Sequence, residues 1–424
     1  MPDDRVVVAA QGATGLGRSA LWNVAASVVS GAAGLLVIGL AFRHVHEAQL
    51  GFFLTAMAAQ SLLVLLDPVV GFSIARATAV APGREPAVTL LQGSLDALGL
   101  AALVGTALGA FALGVWVAAS HPPASMVVGL LILLVSFAAQ LSTAELPGAA
   151  NGLGDFRATG LASVVGAAAN VTTVLLTIGS WGVAGIAAGV LVGVLSSRLV
   201  LLGWRAARAP WVPVIPHSCT KYVLVNAWRE SRWLLLLTVA GQVIAWTDLV
   251  IVGAFRGTAM SAEYRLGVIV PTQVTALLFR AYDVVFPLLA RGSVTEQERI
   301  TRLLTRIFAA GSGVVLGVLI ALRTDVLWLL GADDERRVAT TVFVIFCFVW
   351  AANVPVHGLA LLLIAKNRQS VFAPLLAAEA ALNIVLTLLL TPLYGPIGAA
   401  TATLVTLVVS NLVVLPMLAR AEIA

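Results

Sequence analysis

Seven ionisable residues inside or at the ends of the long apolar runs of this sequence are candidates for chemistry. They are Asp67, Asp96, Glu145, Asp248, Arg280, Asp283 and Glu379. An ionisable group within a membrane span costs about 2.5–3.5 kcal/mol on insertion scales, so a retained group needs a partner or a water-filled cavity. A carboxylate there can take up a cation, and an arginine can hold phosphate oxygens through two parallel bonds. We therefore expect some of these residues to mark a path through the protein.

Asp67 and Arg280 occupy matching positions when the sequence is compared with itself at an offset of 213 residues. Pro68 follows Asp67, and its ring and missing N–H should bend or break the helix there. One interpretation places Asp67 and Arg280 as a pair across a central cleft. In the other, Arg280 pairs with Asp283, because residues three apart share a helix face. The sequence leaves both interpretations open.

Asp248 and Glu379 are the other two deeply placed carboxylates. The repeat offset places Gly166 opposite Glu379, so this acid breaks the internal symmetry. A protonatable carboxylate within a span is a natural place to couple a process to an ion gradient. Asp96 and Glu145 lie nearer the ends of their runs, where we expect them to reach the membrane surface. The candidate ion-coupling or cavity carboxylates are Asp67, Asp248, Asp283 and Glu379.

Motifs for ATP hydrolysis and for metal binding are absent from the sequence. It contains no GxxxxGK[ST] and no HExxH, and its two cysteines, Cys219 and Cys347, form no CxxC pair. His44 and His46 form a His-x-His pair, which is more often a surface accident than a metal site. We expect no catalytic residues, no enzyme activity, no structural metal and no cofactor, with H+ or Na+ as the ion that could be coupled.

The composition requires that most of the chain lies in a membrane. Hydrophobic residues make up 60% of the 424 residues and charged residues 11%, against about 45–50% and about 25% in soluble domains. A span needs about 20 apolar residues, and the sequence contains twelve such runs. They lie near residues 21–42, 51–75, 88–118, 124–144, 159–178, 182–204, 233–254, 264–288, 304–322, 340–365, 370–391 and 396–419.

The basic residues set the orientation of these spans. Of the 25 lysines and arginines, 17 lie on the side shared by both termini, six lie on the other side, and Arg198 and Arg280 fall within spans. Basic loops resist translocation, so this distribution predicts cytoplasmic termini. The net charge of +5 is explained by topology, so we expect no nucleic-acid partner.

The two halves of the chain are internal copies. Between residues 170–200 and 383–413, 11 of 31 positions are identical, including Asn170 with Asn383. The sequence therefore predicts an N-terminal lobe of six spans (1–206), a cytoplasmic linker (207–232) and a C-terminal lobe of six spans (233–424). Transporters built from two such halves commonly bind their substrate between them. The alternative is a bundle duplicated for stability alone.

Several segments resemble the polysaccharide (Wzx-like) flippases, the polysaccharide-transporter branch of the multidrug/oligosaccharidyl-lipid/polysaccharide (MOP) exporter superfamily. The similar segments are Leu66–Val69 with Arg76, Glu47–Phe52, Thr247–Gly253, Ala262–Tyr264, Phe286–Arg291 and Gly395–Ala399. Their order and spacing extend over nearly the whole chain. The resemblance implies a MOP/MATE-like all-α fold of twelve spans in two pseudo-symmetric six-helix lobes.

The resemblance also implies a function. Family members move a polyprenyl-diphosphate-linked oligosaccharide from the inner to the outer leaflet of the bacterial plasma membrane, through a cationic cavity and by ion-driven alternating access. The residues here that could bind a diphosphate are Arg280, Arg76, Arg18 and Arg291. The expected partners are the lipid-linked glycan, membrane lipids, and a glycan polymerase or glycosyltransferases.

Two other functions are open to this sequence. A multidrug or metabolite exporter of the related MATE-type branch would favour acidic groups in a pocket of the N-terminal lobe. A membrane glycan polymerase or ligase would need a catalytic surface near the outer leaflet. The longest predicted outward loop, at about residues 323–338, is short and contains no histidine.

Overall fold

The structure is a computed structural model that describes residues 13–63, 74–75, 85–120, 122–212, 221–283, 294–331, 337–365, 368–415 and 417. Throughout these ranges the chain is helical and contains no strand. Nine of the described helices are long and apolar enough to cross a membrane. The predicted all-α integral membrane architecture is therefore confirmed, and the described helices are compatible with twelve spans.

The N-terminal half contains seven described helices. They are α1 (Ala13–His44), α2 (Glu47–Leu63), α3 (Glu85–Ser120), α4 (Ala124–Leu141), the short α5 (Glu145–Gly152), α6 (Phe156–Trp181) and α7 (Val183–Arg208). The C-terminal half contains α8 (Lys221–Arg256), α9 (Thr258–Asp283), α10 (Val294–Ala321), the short α11 (Arg323–Leu329), α12 (Arg337–Asn353), α13 (His357–Ala365), α14 (Gln369–Tyr394) and α15 (Pro396–Val409). A 3-10 turn (Val354–Val356) precedes α13, and a π-helical turn (Ser410–Val414) follows α15.

The helix bounds repeat at the offset found in the sequence. Adding 213 to the first residues of α4, α6 and α7 gives the first residues of α12, α14 and α15. The packing repeats as well, because α6 packs on α1 and α7 just as α14 packs on α8 and α15. Gly182 and Gly395 have positive φ values of 53° and 62° and make the equivalent tight turns. The two halves are therefore structural copies.

The halves meet through a small set of helices. Helices α8 and α9 pack on α2, α9 also packs on α1, and α8 also packs on α3. Residues from both halves share one apolar core that includes Phe53, Val174, Leu249, Leu266 and Phe343. We call the surface between α1–α3 and α8–α9 the cleft interface, and the end of the bundle where α1 and α8 finish the distal end.

Candidate functional site

Asp248 lies at the centre of a buried polar cluster in the C-terminal half. Its side chain belongs to α8 and is 1% exposed. The Tyr264 hydroxyl donates to Oδ2 at 3.0 Å and the Thr387 hydroxyl donates to Oδ1 at 2.9 Å. The Thr403 hydroxyl donates to Oδ2 at 2.5 Å. Helices α8, α9, α14 and α15 thus each contribute one side chain to the cluster.

Among the described residues, all donors to Asp248 are neutral hydroxyls. Within the described part of the chain, no lysine, arginine or histidine bonds to this carboxylate. A buried charge is costly unless it is paired, and neutral donors offset only part of that cost. The arrangement therefore favours uptake of a positive charge by the carboxylate, either a proton or a metal cation.

The oxygen atoms around Asp248 suit a hard cation. The Asn383 amide nitrogen donates to Thr403 Oγ1 at 3.0 Å, while its Oδ1 is buried and has no hydrogen-bond partner. The Ala399 carbonyl oxygen lies 3.3 Å from Thr403 Oγ1. Hard cations are bound by carboxylate, amide and backbone oxygens. These oxygen donors fit a hard cation or a proton. Among the described residues no cluster of three His, Cys, Asp or Glu is present.

The cluster belongs to only one half of the molecule. At the repeat offset, Asp248, Thr387 and Thr403 correspond to Leu35, Val174 and Val190, which pack in or against the apolar core. Only the amide is kept, as Asn170 opposite Asn383. Three polar replacements at related positions therefore distinguish the C-terminal half from its copy.

Glu379 forms a second buried group on α14. It is 5% exposed, and the Ser410 hydroxyl donates to its Oε2. Its Oε1 is buried without a hydrogen-bond partner. Glu379, Asn383 and Thr387 recur at intervals of four residues and share one face of α14. Glu379 thus lies on the same helix face as the Asp248 cluster, about two helical turns away.

Arg265 provides a positive charge near the same place. The residue lies in α9, seven residues after the first residue of that helix, and its side chain is half-buried. Its guanidinium carbon lies 4.6 Å from the centre of the Trp246 ring, within cation–π distance. The Trp246 ring therefore holds the Arg265 guanidinium in place. No acid among the described residues forms an ion pair with it.

The Arg265–Trp246 pair lies on the cleft side of the two helices. Trp246 is two residues from Asp248, so the two side chains diverge by about 200° around α8, and Asp248 points into the C-terminal half. On α9, Ala262 and Gln273 approach α2 and α1. Arg265 is about 60° and about 80° from them around the helix axis. The Arg265 side chain therefore leaves α9 within about 80° of the residues that approach the N-terminal half.

The site residues predicted from the sequence are distributed unevenly over the structure. Asp248 and Glu379 are both buried in the C-terminal half. Asp67, Arg76 and Arg291 lie outside the described residues. Arg18, Arg280 and Asp283 lie in helices α1 and α9, but their side chains are outside the described part of the structure. Their predicted roles stay predictions.

Two expectations need correction. Glu145 was expected to reach the membrane surface, but its side chain is completely buried at the start of α5. Arg265 is one of the six basic residues predicted on the side away from the termini, at the edge of the span predicted to begin at residue 264. Helix α9 begins earlier, at Thr258, so Arg265 lies about two turns inside the helix and not at its start. The hydroxyl groups of Thr387 and Thr403 are not among the site residues predicted from the sequence. The comparison at the repeat offset could have indicated them, since it places both threonines opposite valines.

The two halves are joined at the distal end. The Arg43 guanidinium, at the end of α1, donates to the Leu329 carbonyl of α11 at 2.9 Å. Arg256 occupies the matching place at the end of α8 but bonds within its own half, to the Pro392 carbonyl at 2.6 Å. Gly51 of α2 lies so close to α9 that a Cβ atom would be 1.7 Å from the Thr258 carbonyl oxygen. The distal end is therefore closed in this conformation.

Replacing Gly51 with valine is expected to open the distal end. The added side chain meets backbone, and overpacking costs about 1–3 kcal/mol, which corresponds to about a 5- to 150-fold shift in population. The opening can be measured with a cysteine at the buried position Leu330, which a soluble maleimide labels when the distal end opens. The chain used for this has Cys219 and Cys347 replaced by serine. Gly114→Val is the control, since a Cβ there meets nothing within 4 Å. Equal labelling of both variants would show that Gly51 does not control closure.

Comparisons with solved structures identify the fold. A MOP superfamily transporter from Pyrococcus furiosus, whose binding pocket is described as having reverse polarity, is similar over 96% of this chain and 95% of its own, with a TM-score of 0.70 and 13% identity. The outward-facing conformation of a multidrug resistance MATE family transporter of the MOP superfamily covers 96% and 95%, with a TM-score of 0.69 and 14% identity. The inward-facing conformation of a MATE transporter covers 96% and 94%, with a TM-score of 0.65 and 15% identity.

The chain therefore has the fold of the MOP superfamily transporters, as the resemblance implied. This fold occurs in outward-facing and inward-facing conformations. The similar structures are transporters and not enzymes. No protein-family model matches the sequence, and no curated protein matches it. The polysaccharide branch of the superfamily thus rests on the sequence motifs.

Proposed function

We propose that this chain is a flippase that moves a polyprenyl-diphosphate-linked oligosaccharide from the cytoplasmic to the outer leaflet of a bacterial plasma membrane. The observation that carries the proposal is Arg265, an arginine at the cleft interface that bonds to no acid among the described residues. A guanidinium can bind two oxygens of a phosphate at once. The negative diphosphate of a lipid-linked oligosaccharide would be attracted to this positive charge.

Ion coupling is assigned to the Asp248 cluster. A proton or a sodium ion at this carboxylate would neutralise a buried charge, so occupancy changes the stability of the surrounding helix contacts. Those helices, α8 and α9, also form the cleft interface. An ion gradient can therefore drive the change between inward-open and outward-open forms, provided that the ion binds one form better than the other. Glu379 is a second candidate for the same role.

The topology follows the positive charges. We assign both termini and the segment between the lobes (207–232) to the cytoplasm, with lobes at residues 1–206 and 233–424. The distal end then faces the outer leaflet, and the closed contacts at Arg43 and Gly51 give an outward-closed form. A substrate from the inner leaflet would enter from the opposite end. Glycosyltransferases or a glycan polymerase would act before or after this step.

The alternative is efflux of drugs or metabolites, which the likeness to MATE family transporters supports equally well at the level of fold. The charge of Arg265 favours anions over the cations that acidic pockets bind. The two functions differ in what accumulates when the protein is absent, and this difference can be measured.

The test uses a bacterial host from which its own flippase has been deleted. Expression of this chain is expected to restore surface glycan and to remove lipid-linked oligosaccharide that has accumulated on the inner leaflet. Tolerance to cationic drugs should not change. Restored drug tolerance, with lipid-linked oligosaccharide still accumulated, would favour the exporter and contradict the flippase.

A further inference from the structure

We propose that Tyr264 couples ion occupancy at Asp248 to the position of Arg265 in the cleft. The inference rests on the proposed function, because it requires an ion at the first residue and an anionic substrate at the second. Tyr264 is a positioning residue in this proposal. It acts through Arg265 and is not itself directed at the substrate.

Two contacts join α8 to α9 at the same depth. Inside the C-terminal half, the Tyr264 hydroxyl donates to Asp248 Oδ2 at 3.0 Å. On the cleft side, Arg265 lies over Trp246 with 4.6 Å between the guanidinium carbon and the ring centre. Tyr264 and Arg265 are consecutive in α9, while Asp248 and Trp246 are two residues apart in α8. A movement of α9 at one contact must therefore appear at the other.

The Tyr264 side chain is well placed to transmit such a movement. It is 3% exposed, and its ring meets Phe346 of α12 edge-on with centroids 6.0 Å apart. On the same helix, a Cβ at Gly267 would lie 2.6 Å from the Ala339 carbonyl oxygen, so α9 fits tightly against α12. Packed elements of this kind change between discrete arrangements and do not deform gradually.

Ion binding changes the Tyr264 contact directly. Asp248 Oδ2 accepts from both Tyr264 and Thr403. A proton or a cation on this oxygen competes with the two O–H donors for the same lone pairs. In this proposal the tyrosine hydroxyl is the donor that turns or withdraws. Because Tyr264 belongs to α9, its withdrawal shifts Arg265 relative to Trp246.

The test measures the binding of inorganic pyrophosphate to the full-length protein in detergent. Affinity is determined with sodium or with choline as the cation, and in sodium-free buffer at low and at high pH. In the wild-type protein the effective ion is expected to change the affinity by about 5- to 150-fold, the usual range of coupling between sites. In Tyr264→Phe, which keeps the ring, the change should fall below about twofold.

Thr387→Val is the matched control. It removes a different donor to Asp248, one that belongs to α14 and not to α9. This variant should bind the ion with altered affinity yet keep the wild-type coupling factor at saturating ion. Equal loss of coupling in both variants, or normal coupling in Tyr264→Phe, would overturn the role of Tyr264. Absence of coupling in the wild-type protein would instead overturn the ion-driven function itself.

A second measurement decides the matter if the phenylalanine variant does not fold. The chain has four tyrosines, and replacing the other three with phenylalanine leaves Tyr264 as the single site for 3-fluorotyrosine. Its fluorine resonance is expected to shift on addition of the ion and again on addition of pyrophosphate. A resonance that responds to the ion alone would overturn the proposal, because the cleft would then be independent of Tyr264.

Discussion

Asparagine at position 248 is expected to abolish ion-driven transport while the protein still folds. The amide has the size of the carboxylate but carries no charge and cannot take up a proton or hold a cation by charge. It also offers one acceptor oxygen where three hydroxyls now donate. One unsatisfied hydroxyl costs about 1–3 kcal/mol, and loss of the buried charge offsets part of this. The thermal midpoint should therefore change little.

Proteoliposomes with an imposed proton or sodium gradient measure this effect. In the wild-type protein, the gradient should raise the amount of lipid-linked substrate moved above its equilibrium distribution. For Asp248→Asn the gradient should have no effect. The amide no longer holds the ion in either conformation, so the ion has no preference that could shift the population. Asp325→Asn makes the same chemical change at an exposed residue of α11 and should behave as wild type. A gradient response that survives in Asp248→Asn would place the coupling ion elsewhere, with Glu379 as the next candidate.

Alanine at position 265 is expected to have the second large effect, on substrate affinity. A hydrogen bond to a charged group contributes about 1.5–3 kcal/mol, so loss of the guanidinium should weaken pyrophosphate binding by about 10- to 150-fold. Arg265→Lys should recover part of this, since lysine keeps the charge but not the planar pair of donors. Titration calorimetry on the purified variants gives the affinities directly.

Arg232→Ala is the appropriate comparison for that experiment. Arg232 also lies over a tryptophan, with its guanidinium carbon 5.3 Å from the Trp233 ring centre, but it is exposed at the surface. Its loss removes the same kind of contact without touching the cleft. If Arg232→Ala and Arg265→Ala weakened binding equally, general surface charge would explain the effect. Unchanged affinity in Arg265→Ala would leave Arg280 as the predicted anion-binding residue.

The fold was predictable because membrane thickness and internal duplication both constrain the sequence. A span needs about 20 apolar residues, and the sequence repeat at 213 residues reappears in the first residues of α4 and α12. Helix α8 is the main discrepancy, since it begins at Lys221 and the apolar run begins near residue 233. Hydropathy detects the apolar part of a helix and misses a polar extension of the same helix. The short α5 and α11 were missed because each is under ten residues long.

Of the candidate site, the sequence predicts only the charged residues. Asp248 and Glu379 stand out because an acid in an apolar run is costly. The partners of Asp248 do not stand out, because threonine and tyrosine are ordinary residues in spans. Thr387 and Thr403 are also 139 and 155 residues away in the chain. Such contacts depend on how α14 and α15 pack on α8, which no local pattern contains.

The bond between Arg43 and Leu329 has a consequence for how the molecule is made. Its two residues are separated by 286 positions in the chain. Chains are synthesised from the N-terminus, and domains fold as units during synthesis. The first half is therefore complete long before the ribosome reaches the carbonyl that Arg43 will bind. Until then water or lipid headgroups must occupy its donors, so a truncated N-terminal half could insert and fold without ever closing its distal end.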